Sequence, residues 1–270
     1  MKPIVLVCHA LTGNSRPLEW WPDLFAEGAV FDSRHWQIIG ADISGTSVSD
    51  AVRAQGQALT NLGVDRIQVV IGGSLGGMQA LQWALDAPER VDHAIVVGAH
   101  DHQSAMGIAL NTVQRDAIAL DPVRGLGLAR KIAMLTYKSE ELFNERHDRR
   151  KDRNDPSRFD IEGYLDLQAQ RFIERFDAER YVALTHAMDG FDVRERAGEP
   201  TPELTFVGIS SDWLYRPQDV RAAATRFNAR YLQLESDHGH DAFLAEADKL
   251  SALVTPVVAR QDTSARMAHG

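Results

Sequence analysis

The 270-residue chain has few of the residues that mark several protein classes. Its single cysteine, Cys8, excludes an internal disulfide framework and a cluster of cysteine metal ligands. The apolar run near the start extends only from Ile4 to Cys8, which is too short for a membrane-spanning helix. We therefore expect no signal peptide and no membrane segment, and one cysteine fits a reducing, cytoplasmic location.

Basic residues are also in the minority. Lys and Arg total 29 against 38 Asp and Glu, and the resulting formal charge of −9 does not attract nucleic acid. A hydrophobic share of 44% is that of a globular protein with a substantial core. Because α/β domains can reach ~250 residues, the length allows either one large domain or two.

Short β-branched apolar runs alternate with stretches of helical spacing. This alternation predicts an α/β fold with a mostly parallel sheet flanked by helices. The predicted strands are Ile4–Cys8, Gln37–Ala41, Ile67–Ile71, Ala94–Val97, Leu204–Val207 and Arg230–Leu234. The predicted helices between them are Asp50–Leu62, Leu75–Asp86, Gln218–Phe227 and a last one from Asp241 towards Val254.

A long segment without a convincing strand separates the fourth and fifth predicted strands. It contains several stretches of helical apolar spacing, so we expect a helical lid insertion over residues 99–202. Residues 1–98 and 203–258 then form the core, and residues 259–270 a flexible tail. In parallel sheets the functional site lies at the carboxyl ends of the strands, where such an insertion would cover it.

The sequence Gly72-Gly73-Ser74-Leu75-Gly76 follows a predicted strand and opens a predicted helix. This is the G-x-S-x-G pattern in the strand–turn–helix context of a serine nucleophile. A phosphate-binding loop is the alternative, but neither G-x-x-x-x-G-K-[ST] nor G-x-G-x-x-G is present. We therefore predict Ser74 as the nucleophile, with the N–H of Leu75 as an oxyanion donor at the helix N-terminus.

A serine nucleophile needs a histidine base that a carboxylate orients. Asp212 follows the fifth predicted strand, and His238 and His240 follow the sixth. These positions satisfy the order Ser, Asp, His of α/β-hydrolases. The pattern favours His240 as the base without excluding His238.

The second oxyanion donor is expected from the loop after an early strand. The segment from His9 to Gly13 occupies that position, and the N–H of Leu11 is our candidate. His9 precedes Ser74 in the chain, so we interpret it as a residue that shapes this loop.

Seven ordered motifs resemble the homoserine O-acetyltransferase family of α/β-hydrolase-fold acyltransferases. They are the segments that begin at His9, Gly72, Gly107, Gly127, Arg175, Ser211 and Gly239. Compared with that family, the chain lacks the strands that usually precede the His9 loop and a long glycine-rich stretch after Ala41. The resemblance is therefore to a shortened member.

The resemblance implies a ping-pong reaction. Acetyl-CoA, a substrate rather than a bound cofactor, would acetylate Ser74, and the hydroxyl of L-homoserine would then take the acetyl group in methionine biosynthesis. His240, rather than His238, would be the general base and Asp212 its partner, with no metal involved. The family also implies a homodimer that forms through the lid helices.

The same resemblance suggests how homoserine is bound. Asp241 would bind its amino group, and Arg130 and Tyr137 its carboxylate. Tyr137 follows Arg130 by seven positions, which is about two helical turns, so both can face one pocket. Spacing alone would favour Arg130 as a surface charge.

Three alternatives stay open at this point. The chain could hydrolyse a small ester on the same scaffold, transfer a succinyl group to homoserine, or be a paralogue that has lost catalysis. Acetyl and succinyl donors differ by one carboxylate, and the sequence does not identify the residues that accept or repel it.

Overall fold

A computed structural model describes the backbone of residues 2–267 and the side chains of residues 2–259. Six parallel strands form one sheet in the order β2-β1-β3-β4-β5-β6. The strands are β1 (Ile4–Cys8), β2 (Gln37–Ala41), β3 (Ile67–Gly73), β4 (Val91–Val97), β5 (Glu203–Ile209) and β6 (Arg230–Leu234). The six predicted strands are confirmed, and β3, β4 and β5 are longer than predicted.

Helices cover both faces of the sheet and part of its carboxyl end. They are α1 (Pro17–Trp20), α2 (Val48–Asn61), α3 (Leu75–Asp86), α4 (Ala105–Leu120), α5 (Pro122–Tyr137), α6 (Glu140–Arg146), α7 (Asp160–Ile173), α8 (Ala178–Asp189), α9 (Pro217–Arg226), α10 (Ala242–Ala245) and α11 (Ala247–Met267). Among the described residues, no helix is both long and apolar enough to cross a membrane.

Alternation along the strands builds a core on each side of the sheet. In β1, Leu6 and Cys8 belong to one buried cluster, and Val5 and Val7 belong to the other. The first cluster includes α2, α3 and α9, and the second includes α11. The sheet is therefore buried on both faces, as parallel sheets usually are.

Five helices, α4 to α8, lie between β4 and β5, in the segment predicted as the insertion. Two of these helices begin with a side-chain cap that the sequence supplies. Ser104 accepts the N–H of Gly107 at the start of α4, and Asp121, which precedes Pro122, accepts two N–H groups in the first turn of α5. Beyond the end of α5, the hydroxyl of Ser139 donates to the carbonyl of Asp237 in the loop after β6. The helical insertion thus touches the carboxyl end of the sheet.

The end of the chain differs from the prediction of one helix starting at Asp241. A short 3-10 turn, Gly239–Asp241, comes first, and Glu246 separates α10 from α11. The backbone of α11 continues to Met267, through most of the segment predicted as a tail from residue 259. Residues 268–270 of that tail lie outside the described residues.

Candidate active site

Ser74 lies at the sharp turn between β3 and α3. It has a φ of 57°, a left-handed conformation that is rare for a residue with a side chain. Space for the turn comes from glycine: a Cβ on Gly72 would lie 2.3 Å from the backbone of Gly76, and one on Gly76 would lie 2.2 Å from the carbonyl oxygen of Cys8. The serine that the motif identified therefore lies in the strained, tightly packed turn that the chemistry requires.

Asp212 and His240 follow the neighbouring strands β5 and β6. Nδ1 of His240 lies 2.6 Å from Oδ2 of Asp212, and both side chains are buried. The other carboxylate oxygen accepts the backbone N–H groups of Leu214 and Tyr215 at 2.9 and 3.0 Å. These bonds fix the carboxylate, which in turn orients the imidazole ring.

The environment of His240 raises its pKa above the ordinary value. Burial of the ring lowers the pKa, but the charge of Asp212 and its hydrogen bond act in the opposite direction and outweigh burial. The second nitrogen, Nε2, is buried and has no hydrogen-bond partner among the described residues. Ser74 and His240 line the same cavity, so Nε2 can accept a proton from a group in this cavity or return one to it.

The alternative histidine, His238, does not join this group. Its backbone N–H donates to Ser236, and no described contact links its ring to Asp212. His9 is buried, with Nδ1 2.7 Å from the carbonyl oxygen of Ala10 and Nε2 3.1 Å from Asp42. These contacts stabilise the loop after β1, and none of them links His9 to Asp212 or Ser74.

The two residues predicted as oxyanion donors both lie near Ser74. Leu75 is the first residue of α3, where backbone N–H groups have no partner within the helix. Leu11 is in the loop after β1, which pairs with β3 in a register that places Cys8 beside Gly72. Leu11 and Ser74 line a common cavity.

A buried amide network holds the loop after β1, and sequence reasoning missed it. Gln79 donates to the carbonyl of His9 at 3.1 Å, and its own carbonyl accepts from Gln55 at 2.9 Å. Trp83 donates to Gln55 at 2.8 Å. The spacing of Gln79 and Trp83 on one helix was the available signal, but their partners come from distant parts of the chain.

Arg130 and Tyr137 both line the cavity that contains Ser74, which has a volume of about 400 Å³. The guanidinium carbon of Arg130 lies 5.7 Å from the centroid of the Tyr137 ring and 5.2 Å from that of Phe172. Nε of Arg130 is buried without a hydrogen-bond partner among the described residues. Burial raises the pKa of Tyr137 to about 12, so its hydroxyl stays protonated and can donate.

Arg175 is a second cation in this cavity, to which no role was assigned from the sequence. Its guanidinium carbon lies 5.2 Å from the centroid of Phe172, and it donates to the carbonyl of Thr12 at 3.2 Å. Burial, with the nearby charge of Arg130, lowers its pKa. Two like charges that face one cavity favour an anionic ligand.

Asp241 also lines the cavity, and it pairs with Lys138 at 2.9 Å. A carboxylate has about four lone-pair sites, so this pair leaves room for a further donor such as an ammonium group. The structure therefore brings Ser74, Leu11, Arg130, Tyr137, His240 and Asp241 together around one cavity. Asp212 lies behind His240 and does not line it.

One group of side chains has the spacing of metal ligands among the described residues. The ligand atoms of His100, Asp101 and His102 lie within 4.8 Å of one another. However, Arg226 donates to both oxygens of Asp101, at 2.7 and 2.9 Å. A guanidinium in this position competes with a cation, so the group is better explained as an ion-pair network.

Comparisons with known proteins identify the fold and the family. The family model for the alpha/beta hydrolase fold matches residues 3–247. Homoserine O-acetyltransferase of Chlorobium chlorochromatii (strain CaD3) is 35% identical over an alignment of 298 positions, gaps included, which covers 93% of this chain and 84% of that protein.

Solved structures give the same fold. The crystal structure of homoserine O-acetyltransferase from Staphylococcus aureus matches with a TM-score of 0.79 and 29% identity, covering 95% of this chain and 84% of that chain. Esterase E22 matches with a TM-score of 0.84 but 17% identity, covering 95% of this chain and 90% of that chain, and so shows the fold alone. The chain therefore belongs to the alpha/beta hydrolase fold family and, within it, to the homoserine O-acetyltransferase family.

Proposed function

We propose that this protein transfers an acetyl group from acetyl-CoA to the hydroxyl of L-homoserine by a ping-pong mechanism. The observation that carries the proposal is the position of Ser74 and His240 in one cavity that also contains Arg130 and Asp241. Such a cavity combines an acyl-transfer group with a cation and an anion, which are the charges that a zwitterionic amino acid needs.

In the first half-reaction, Oγ of Ser74 attacks the thioester carbonyl while His240 takes the hydroxyl proton. The N–H groups of Leu11 and Leu75 would stabilise the oxyanion. The C–S bond then breaks, and the proton passes from His240 to the departing thiolate of CoA. Asp212 holds the ring and stabilises the imidazolium that forms in this step.

In the second half-reaction, His240 takes the proton of the homoserine hydroxyl as its oxygen attacks the acetyl-serine. Collapse of the tetrahedral intermediate breaks the bond to Ser74, and His240 returns the proton to Oγ. Arg130 and Tyr137 would hold the carboxylate, and Asp241 the ammonium group, so that the hydroxyl faces the ester. The product would be O-acetylhomoserine, an intermediate expected for methionine biosynthesis.

The decisive assay mixes the protein with acetyl-CoA and L-homoserine and follows CoA release and O-acetylhomoserine. We expect that CoA release beyond one equivalent per protein depends on homoserine, and that all release is lost in Ser74→Ala. Hydrolysis of a small ester at a rate that homoserine does not alter would instead favour the esterase alternative. Equal CoA release by the wild type and Ser74→Ala would rule out the proposed mechanism.

The proposal includes a homodimer that forms through the helical insertion. Large apolar side chains are exposed on its helices α4 and α5: Met106, Val113, Leu120, Val123, Leu128 and Leu135. Leu120, at the end of α4, is 89% exposed. Met106, Val113 and Leu120 recur every seven residues and so share one side of α4, and exposed apolar side chains grouped in this way mark an interaction surface.

A further inference from the structure

Ser74 borders two cavities rather than one. The larger, of about 400 Å³, contains His240 and the candidate homoserine ligands. The smaller, of about 20 Å³, is lined by Ser74, Leu11 and side chains of α4, α5 and α8, and His240 is not among its described lining residues. We call this smaller cavity the inner lobe. Since one water needs roughly 10–15 Å³ of such space, the lobe holds one group of about that size.

The geometry of acyl transfer assigns a role to each cavity. The tetrahedral carbon on Ser74 carries the serine oxygen, the oxyanion, the sulfur or oxygen that leaves or attacks, and the acyl chain. The oxyanion faces the N–H groups of Leu11 and Leu75, and the leaving or attacking atom must face His240, which moves its proton. His240 lines the larger cavity and not the inner lobe, so an acyl chain in the lobe would not compete with the leaving or attacking group.

We infer that the inner lobe is the acyl pocket and that it restricts the donor to an acetyl group. This inference rests on the proposed acyl transfer at Ser74. In the first step the Oγ–carbon bond forms and the C–S bond breaks, and the thiolate leaves on the side of His240 with its proton. The methyl group of the acetyl then remains in the lobe, where its size fits the space.

The walls of the lobe oppose a longer chain. Met188 is buried, and with Leu110 and Leu214 it supplies large apolar side chains to the lining, which also includes Leu11 and Ala133. A packed interior gives way only at the cost of displaced side chains, so each added methylene meets resistance. Chain length is therefore limited by these three side chains.

The charge of the lobe opposes a succinyl group in particular. No Lys or Arg is among the described residues that line it. Its amide side chains, those of Gln103, Asn111 and Gln114, are neutral and supply no positive charge. A succinyl carboxylate would be buried there without a counter-charge, which is strongly unfavourable.

Guanidinium groups nearby do not remove this obstacle. Arg115 pairs with Asp189 at 2.7 Å and does not line the lobe. Arg130 and Arg175 line the larger cavity, on the side where the acceptor carboxylate must bind. A succinyl chain that reached them would occupy the place of the acceptor.

The test measures acylation of Ser74 without any acceptor, by intact-protein mass spectrometry with acetyl-, propionyl-, butyryl- and succinyl-CoA. For the wild type we expect acetyl to exceed butyryl and succinyl by about 100-fold in rate, the discrimination that a tight pocket gives against extra methylenes. Met188→Ala should raise the butyryl-to-acetyl ratio by about 10-fold, since the removed side chain makes room. The same variant should raise the succinyl-to-acetyl ratio less, because the lobe still lacks a cation.

Met134→Ala is the matched control, because Met134 is a buried methionine of α5 that does not line the lobe. This variant should leave the butyryl-to-acetyl ratio of acylation rates unchanged. Leu110→Ala widens the lobe from α4 and provides the same test if Met188→Ala does not fold. Acylation of the wild type by butyryl- or succinyl-CoA as fast as by acetyl-CoA would overturn the inference, as would unchanged ratios in both widened variants.

The two proposals fail in different ways. If Ser74 takes acetyl in preference to butyryl but homoserine does not remove it, the acceptor assignment is wrong and the acyl pocket stands. If homoserine accepts acetyl and butyryl at equal rates, the transfer stands and the pocket is wrong. An absence of acylation from every donor would overturn both.

Discussion

The imidazole of His240 and the carboxylate of Asp212 are 28 residues apart in the chain and 2.6 Å apart in space. Asp212 is held in turn by the backbone N–H groups of Leu214 and Tyr215. A fixed carboxylate on Nδ1 keeps the proton there, so that Nε2 is the basic nitrogen of the neutral ring. The pair thus determines both the orientation of the base and its pKa.

The first prediction concerns the pH dependence that Asp212 imposes. His240 must be neutral to act as a base, and its raised pKa places the acid limb of activity above the ordinary histidine value of 6.5. Asp212→Asn removes the charge that opposes the effect of burial, so the acid limb should move to lower pH. Turnover should fall by about 10⁴-fold, as expected when the tautomer and orientation are lost. The measurement is kcat/KM against pH.

Asp219→Asn is the control, since Asp219 is an exposed carboxylate that pairs with Arg216. Its profile should match that of the wild type. A wild-type acid limb and turnover in Asp212→Asn would show that this carboxylate does not act on the base.

The sequence was sufficient to predict the sheet and the positions of Ser74 and Asp212. These residues follow β-branched runs that favour buried strands, and chain order then assigns them to the carboxyl end of a parallel sheet. The choice between His238 and His240 could not be made from strand positions and chain order alone. It depends on the turn Gly239–Asp241, in which Gly239 has a φ of 67°, and periodicity carries no information about such a turn.

Features that depend on distant contacts could not be predicted. The break at Glu246 between α10 and α11 interrupts a pattern that reads as one helix. The two cavities at Ser74 are formed where the helical insertion packs on the core, and their volumes follow from side-chain packing rather than from any local motif. Arg175 was visible in the sequence, but only the structure places it beside Arg130.

The second prediction concerns the acceptor carboxylate. Arg130→Lys keeps the charge but loses the fork of donors that binds a carboxylate in two places. We expect KM for L-homoserine to rise by about 10-fold, with acetylation of Ser74 by acetyl-CoA nearly unchanged. Steady-state kinetics with homoserine, together with the acylation rate in its absence, provide the measurement.

Arg124→Lys on the same helix is the matched control, because Arg124 is exposed and does not line the cavity. Its KM should remain that of the wild type. An unchanged KM in Arg130→Lys would remove this residue from the acceptor site.

The third prediction concerns the buried amide of Gln79, a positioning residue for the loop that carries Leu11. Gln79→Leu leaves the carbonyl of His9 and the amide of Gln55 without their partner. We expect the free energy of unfolding to fall by about 1–3 kcal/mol. We also expect kcat to fall by about 10-fold while KM changes little, because an oxyanion donor acts in the transition state.

Gln82→Leu separates the two effects. Gln82 is also buried on α3, but its amide donates to Asp86 at 2.8 Å, at the other end of the helix. Urea unfolding should show a loss of stability in both variants, whereas only Gln79→Leu should lose kcat. Equal kcat values in the two would mean that the network serves stability alone.

The fourth prediction concerns the exposed apolar face of the helical insertion. Leu120→Glu places a charge on a surface that we propose is buried between two copies. Light scattering coupled to size exclusion should give a dimer mass for the wild type and a monomer mass for the variant. Leu62→Glu is the control, since Leu62 is 74% exposed and follows α2, outside the insertion. A dimer in all three proteins would place the interface elsewhere, and a monomeric wild type would exclude the proposed dimer.

Intact-protein mass spectrometry after mixing with acetyl-CoA tests the central claim most directly. The account predicts one acetyl group on Ser74 in the absence of an acceptor, its absence in Ser74→Ala, and its loss on addition of L-homoserine as O-acetylhomoserine forms. Formation of O-acetylhomoserine with no acetyl on the protein, or an equal yield from Ser74→Ala, would contradict a covalent transfer through this serine.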